Sequence, residues 1–326
     1  MEVTVSFSCI ACLRDVPADK PLGKSIIFAH SAYYRCPACG TRQAHPLPST
    51  AELDDLYRDS YITKHWEQMK GWKQGPLDQA LKRLRVLSER ARAVSLITEV
   101  QRLGWSPRMR VTAVDCGAGH GTLTRLLRER LPQDSRLIAI DAAKEVTQLK
   151  GVADEAWCLS ENGLAARLAD GAGSGFDLIF FSHALEHFRE PEVILRAFAR
   201  HLAPDGLLVV EFPHGLHPSY NLKGDLALPD LFFFTAAGMK AMAKRVGCRP
   251  LKARGVSPGP DWLLRRNSKY AQYLAALFFI LRAWLTDDGN FHADPAFWYR
   301  MVFTNSPSCA QGSSQAGECR TVPVPE

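Results

Sequence analysis

Apolar residues return at two periods along this chain, and the points where one period gives way to the other mark out its elements. Leu77, Leu81, Leu84, Leu87, Ala91, Val94, Ile97, Val100 and Leu103 recur at intervals of three and four. That spacing predicts one long helix with a single buried stripe, closed by Gly104 and Pro107. From Val111 short apolar runs alternate with helical patterns. They predict strands at 111–115, 137–141, 156–159, 176–182 and 206–212, with helices at about 121–131, 144–150, 161–168 and 191–202. After Pro213 come a loop-rich stretch, a helix near Thr235–Val246, a strand near Pro250–Val256, an apolar insert and a last strand at Phe297–Phe303. Strand and helix alternating in this way predict an α/β fold, a doubly wound parallel sheet with helices on both faces.

The 326 residues leave room for one large α/β domain and a small appendage. The pattern divides them into a small module at 1–48, an aromatic segment and helical linker at 49–107, and the α/β domain at 108–305. That domain carries an insert at about 259–296, and a Ser/Gly/Gln/Pro-rich tail expected to be disordered occupies 306–326. A net charge of +6 permits an anionic substrate. No dense Lys/Arg tract demands nucleic acid, and the basic clusters at Leu81–Arg92 and Arg265-Arg266 read as solvated helix faces. The apolar run from Tyr273 to Leu285 is broken by Arg282 and is too short to span a bilayer, which predicts a buried helix. The start lacks a basic-then-apolar leader, and nine cysteines are an odd count. Both point to a reducing, cytoplasmic setting rather than a disulfide framework.

Four of the cysteines form two pairs, Cys9-x-x-Cys12 and Cys36-x-x-Cys39, with 23 residues between them and room for a hairpin. Two such knuckles supply four thiolates, the donor set of a closed tetrahedral Zn²⁺ site that folds a module and does no chemistry. A redox pair and an iron centre are the competing readings, with His30 and His45 as substitute ligands.

The richest stretch chemically runs from Val111 to Thr124, where Asp115, Gly117, Gly119 and Gly121 alternate between an apolar strand and a helix start. Glycines there let backbone pass close to a ligand. The spacing is not G-x-G-x-x-G, because Thr122 stands three residues after Gly119. An acidic residue ahead of the glycines also suits a cationic ligand better than a pyrophosphate.

The order Asp115-x-Gly117-x-Gly119-x-Gly121, then Asp141 closing Leu137–Asp141, then Phe176–Phe188 with its Leu-Glu-His-Phe, then Leu202-Ala-Pro-Asp-Gly206 resembles the class I S-adenosylmethionine-dependent methyltransferases over about residues 108–256. The Cys-pair module followed by Glu52–Tyr57 is similar to the zinc-ribbon methyltransferases of bacterial sugar, polysaccharide and natural-product pathways. The resemblance implies a Rossmann-like, seven-stranded sheet with a small zinc-ribbon module, S-adenosylmethionine as cofactor and structural zinc on Cys9, Cys12, Cys36 and Cys39. It implies that Asp115, Gly117, Ala118, Gly119 and Gly121 cradle the methionine end. Asp141 would take the ribose hydroxyls, Ala142 would pack near the adenine, and Ser160 or Glu161 would face the adenine amino group. Ser182 and Tyr61 complete the expected cofactor contacts.

The acceptor side is expected to carry His183 as first choice of base, with His187 shaping the pocket and His214 next in line, since a histidine titrates near neutrality. A Glu/His set here is also a possible divalent-metal site. Where relatives often carry a histidine before the aromatic-Phe-Thr stretch, this chain has Asp230. The acceptor implied is a small molecule or glycan, with O-methylation favoured. An RNA substrate would find only Arg14, Lys20, Lys24, Arg35 and Arg42 on the module, partly offset by Glu2, Asp15 and Asp19. A non-catalytic cofactor-binding scaffold is the third reading. Oligomeric state is not legible.

Overall fold

The computed structural model describes residues 6–58, 76–106, 110–171, 175–217, 229–257, 269–286 and 296–306. Tyr61, His65, the residues from 307 onward and parts of the linker and insert lie outside them. At the N-terminal end β1 (Ser6–Ser8) and β2 (Asp15–Pro17) pair antiparallel. β3 (Gly23–Lys24), β4 (Ala32–Arg35) and β5 (Arg42–His45) form a second antiparallel set. α1 (Thr50–Arg58) opens on a reciprocal cap, in which the Ser49 amide and hydroxyl donate to the Glu52 carboxylate and Ser49 Oγ accepts from the Glu52 amide. The long helix predicted from spacing is α2 (Pro76–Gln101). Its buried stripe is Ala91, Ala93, Leu96, Ile97 and Val100, whereas Leu87, which the spacing places inside, is exposed.

The main domain follows as β6 (Thr112–Cys116), α3 (Thr122–Arg130), β7 (Arg136–Asp141), β8 (Glu155–Cys158), α4 (Glu161–Ala169), β9 (Phe176–Ser182), α5 (Pro191–His201) and β10 (Leu202–Pro213). It continues with β11 (Phe232–Phe233), α6 (Ala236–Arg245), β12 (Cys248–Val256), α7 (Lys269–Thr286) and β13 (Trp298–Asn305). The helix expected at 144–150 is a 3₁₀ segment, Lys144–Leu149. The strand expected from 206 already begins at Leu202, with a register shift before Leu207.

Among the described residues the sheet has seven strands in the order β12-β13-β10-β9-β6-β7-β8. β10, β9, β6, β7 and β8 run parallel; β13 is antiparallel to β10, and β12 to β13. Alternate residues feed opposite faces, as a pleat requires. Val114, Ile138 and Phe181 pack into one core, while Ala113, Leu137 and Phe180 pack into the other. Both faces being covered explains why Leu137–Ile140 are apolar without a break. The chain order reverses between β6 and β9, so a crevice opens at their carboxyl ends. Asp177 ties the opposite ends of these strands together by accepting the Thr112 amide at 2.7 Å.

The sheet of the N-terminal module is joined by residues from beyond position 48. β11, which follows β10 in the chain, pairs with β5 through Phe232–Gln43 and Phe233–Arg42. The Arg245 guanidinium donates to the carbonyls of Ala11 and Ile10, and Thr235 Oγ1 donates to the Cys39 carbonyl at 2.6 Å.

α7 buries Ala275, Phe279 and Ala283, with Phe279 and Ala283 in a small cluster beside Ala91 of α2. It leaves Leu274, Leu277, Phe278, Leu281, Trp284 and Leu285 exposed, so the buried-helix expectation holds for one face. No described helix is long and apolar enough to cross a membrane.

Candidate active site

The glycine loop is held by the end of the neighbouring strand. Gly117 and Ala118 both donate to the Ile140 carbonyl, at 2.8 and 3.0 Å, and Gly119 donates to Asp141 Oδ2 at 2.8 Å. The other Asp141 oxygen accepts the Ala143 amide at 2.9 Å. Gly117 has φ +82°, and a Cβ there would stand 2.3 Å from Ala184 Cβ, so the loop requires glycine on two counts. Gly121 serves another purpose: with φ +79° it starts α3, and its missing Cβ makes room for Leu149.

Two cavities meet at this loop, one of about 240 Å³ and one of about 170 Å³, and Gly117 and Gly119 line both. The larger is walled by Asp141, Ala142, Glu161, Tyr57, His183 and His187, among others. The smaller is walled by Asp115, Ala118 and Ser182, together with Arg92 and Glu89 from α2. The structure therefore gathers Asp115, Gly117, Ala118, Gly119, Asp141, Ala142 and Ser182 around one crevice. Asp115 is buried and accepts the Thr124 hydroxyl at 2.7 Å. Burial pushes its carboxyl up to about 6, against the pull of that hydroxyl.

Ser160 is used differently from the expectation. Its hydroxyl accepts the Gly163 amide as the N-cap of α4, the ordinary fate of serine ahead of a helix. Glu161 lines the larger cavity instead, and its two oxygens accept the amides of Arg189 and Glu190, each at 2.7 Å.

The three candidate histidines part ways. His183, at the end of β9, has φ +54°, in the region that bulky residues seldom adopt. Its ring is 17% exposed, with Nδ1 3.3 Å from Glu186 and Nε2 3.6 Å from Glu211. Burial alone would lower its pKa, but the two carboxylates override that and raise it, which favours the protonated ring. Both ring nitrogens of His183 thus face carboxylates in the wall of the larger cavity. His214 is buried with Nδ1 3.3 Å from the Ala296 carbonyl, and it lines neither cavity. His187 lines the larger cavity with Nε2 3.8 Å from Asp230 Oδ1.

Behind His183 lies a buried ionic chain that periodicity did not flag. Arg300 of β13 is 1% exposed and pairs with Glu211 through Nε at 2.8 Å and through Nη2. Its Nη1 donates to the Ser95 carbonyl and hydroxyl, both at 2.9 Å. Burial would raise the Glu211 carboxyl, yet the Arg300 guanidinium holds it down at about 2. Arg92 and Asp230 are also not legible in the sequence as site residues, whereas Tyr57 belongs to the segment similar to the one that folds over the cofactor in relatives. Arg92 sat inside a cluster read as solvated. Tyr57, whose hydroxyl burial pushes well above its usual range, reads equally well as packing. Asp230 stands out in the sequence only as a departure from relatives.

The Cys pairs converge. Cys9 and Cys39 Sγ are 3.7 Å apart, Cys12 and Cys36 Sγ are 3.5 Å apart, and all four lie within 4.8 Å of one another. Zn–S bonds of about 2.3 Å in a tetrahedron put sulfurs about 3.8 Å apart, so the donor set fits zinc. Each knuckle turns back through a positive-φ residue after its second cysteine, Leu13 (φ 61°) and Gly40 (φ 77°). His30 and His45 are not in the set.

The known proteins similar to this chain in sequence are methyltransferases. A family described as a methyltransferase domain matches residues 86–253. The trans-aconitate 2-methyltransferase of Azoarcus sp. (strain BH72) is 31% identical over 133 residues, 40% of this chain and 50% of that protein. The protein of the same name from Acidovorax ebreus (strain TPSY) is 35% identical over 148 residues, 43% and 52% of the two chains. The chain thus spans about half the length of the curated relatives it matches. Among solved structures, magnesium protoporphyrin IX methyltransferase from Synechocystis PCC 6803 with bound S-adenosylhomocysteine superposes with a TM-score of 0.47 at 13% identity, covering 79% of this chain and all of that one.

Proposed function

Because this chain belongs to the methyltransferase domain family, we propose that it carries a methyl group from S-adenosylmethionine to a small acceptor, with an acceptor oxygen as the favoured site. The observation that carries the cofactor half is the hydrogen bond between Asp141 and the Gly119 amide, both lining the larger cavity. Ribose hydroxyls donating to the remaining lone pairs of Asp141 would place the adenosine there and the methionine end across the loop. In the smaller cavity Asp115 carries the charge suited to the ammonium, and Arg92 the charge suited to the carboxylate. Ser182 and Ala118 would touch the same portion. Glu161, its oxygens already committed to two amides, serves the adenine edge better than Ser160.

Methyl transfer from a sulfonium is an in-line displacement, so positioning and exclusion of water supply much of the rate. His183, held between Glu186 and Glu211 at the strand end, shapes the wall of the larger cavity. Around it the larger cavity is acidic, lined by Asp54, Asp141 and Glu161 and by no Lys or Arg among the described residues. A tricarboxylate such as the one the trans-aconitate relatives are named for would be repelled there. That favours an uncharged, hydroxyl-bearing acceptor such as a sugar or natural-product intermediate. Zinc on the four cysteines completes the proposal as a structural ion.

Calorimetric titration with S-adenosylhomocysteine tests the cofactor half: saturable binding of one equivalent is expected, and the absence of heat at any ratio would end the methyl-transfer reading. Mass spectrometry after incubation with S-adenosylmethionine and neutral or tricarboxylate acceptors tests the rest, with a gain of one methyl expected on a neutral acceptor only.

A further inference from the structure

A second cluster of metal-ligating side chains stands apart from the cysteines. Among the described residues only two groups bring three or more such atoms within 4.8 Å of one another, the four thiols and the set Glu186, His187 and Asp230. The second group is set in the wall of the larger cavity, since His187 lines that cavity.

Its state of bonding is what calls for a ligand. Glu186 is 0% exposed, yet neither of its carboxylate oxygens accepts a hydrogen bond among the described residues; His183 Nδ1 approaches one of them at 3.3 Å without hydrogen-bond geometry. Nδ1 of His187 is likewise buried and unbonded. Asp230 is buried and its carboxylate lies 3.8 Å from His187 Nε2, too long for a hydrogen bond. A buried carboxylate without donors, as Glu186 is, is strongly disfavoured, and a cation between it, His187 and Asp230 satisfies it.

The backbone holds these residues in place whether or not anything is bound. The Leu231 amide donates to the Glu186 carbonyl at 2.9 Å, clamping the 3₁₀ turn Leu185–His187 to the segment carrying Asp230. The Tyr33 hydroxyl donates to the Asp230 carbonyl at 2.8 Å from the N-terminal module. Ligands fixed in this way from two sides lose little freedom on binding.

We propose that Glu186, His187 and Asp230 bind one divalent cation at the wall of the larger cavity. One imidazole with two carboxylates is a borderline donor set, suited to Mn²⁺, Fe²⁺ or Zn²⁺ rather than to Mg²⁺ or to a thiolate-seeking ion. Three protein ligands leave coordination positions open, on the side where His187 meets the cavity. This site is separate from the cysteine site and does not depend on the methyl-transfer reading.

The test is an electron paramagnetic resonance titration of Mn²⁺ into the full-length, zinc-loaded chain without cofactor, where bound manganese is read as loss of the free-ion signal. One saturable Mn²⁺ per chain is expected in the wild type, with affinity falling roughly 10- to 100-fold or more in Asp230→Asn. Glu186→Gln should weaken binding similarly, and it replaces Asp230→Asn if circular dichroism finds that variant unfolded. A free-ion signal equal to the manganese added throughout the wild-type titration would overturn the proposal. So would equal affinity in wild type and a folded ligand variant.

Discussion

Asp141 Oδ2 accepts the Gly119 amide at 2.8 Å, so the acidic end of β7 and the apex of the glycine loop are a single unit. Removing the carboxylate should both delete the ribose acceptor and release the loop. Asp141→Ala is expected to weaken binding of S-adenosylhomocysteine by about 1–3 kcal/mol. Asp141→Asn, which keeps one acceptor for Gly119 and loses the charge, should fall between. Calorimetry on the three proteins checks this, and equal affinity in Asp141→Ala would remove Asp141 from the cofactor site.

Asp115 makes the apo protein pH-sensitive. Burial raises its carboxyl from 3.8 to about 6 in the folded chain. A folded pKa above the unfolded one means that the stabilising contribution is complete below 3.8 and is lost as pH rises through about 6. Asp115→Asn cannot ionise, so it should exceed the wild type in stability by on the order of 1–3 kcal/mol at pH 8. That advantage should shrink towards pH 4. Urea unfolding at both pH values decides it, and an advantage independent of pH would show that Asp115 does not titrate as described. The same variant should bind cofactor more weakly, because the charge that costs stability is the one suited to the ammonium.

Arg300 and Glu211 are a buried pair in which one partner cannot be spared alone. Arg300→Met leaves Glu211 without its main counter-charge inside the domain, at an expected cost of about 3–5 kcal/mol. Adding Glu211→Gln removes the stranded charge and should recover part of that loss. A double mutant no more stable than the single would show that packing, rather than charge, is what Arg300 supplies. Melting curves of the three proteins give the comparison.

The cysteine site should matter beyond its own module. Cys36→Ser is expected to lower zinc well below one equivalent per chain by elemental mass spectrometry. Because Thr235 donates to the Cys39 carbonyl and β11 pairs with β5, the loss should also loosen the segment from Asp230 to Thr235. Hydrogen exchange should then speed up at Leu231–Phe234 in the variant. Zinc-free wild-type protein with unchanged exchange there would separate the cysteines from any structural ion.

Much of this arrangement follows from local pattern. Alternating periods suffice to predict β6 to β10 and their helices, because a parallel strand buried on both faces must be apolar throughout and its covering helix must be amphipathic. Asp115, the three glycines and Asp141 are legible because a close backbone approach needs glycine and because strand ends are where ligands bind in such sheets. The cysteine pairs are legible because two knuckles at this spacing have few other uses. Tertiary structure alone decided the rest. Asp230 reaches His187 across 42 intervening positions only because β11 is drawn into the N-terminal sheet. Arg300 reaches Glu211 only because β13 lies antiparallel against β10. His183 has carboxylates at both ring nitrogens, one three residues away and one on the next strand, only because β9 lies against β10. A side chain's periodicity states which face it occupies. Its protonation and partners depend on what the opposite face brings within a few ångströms, and that is a property of the assembled sheet.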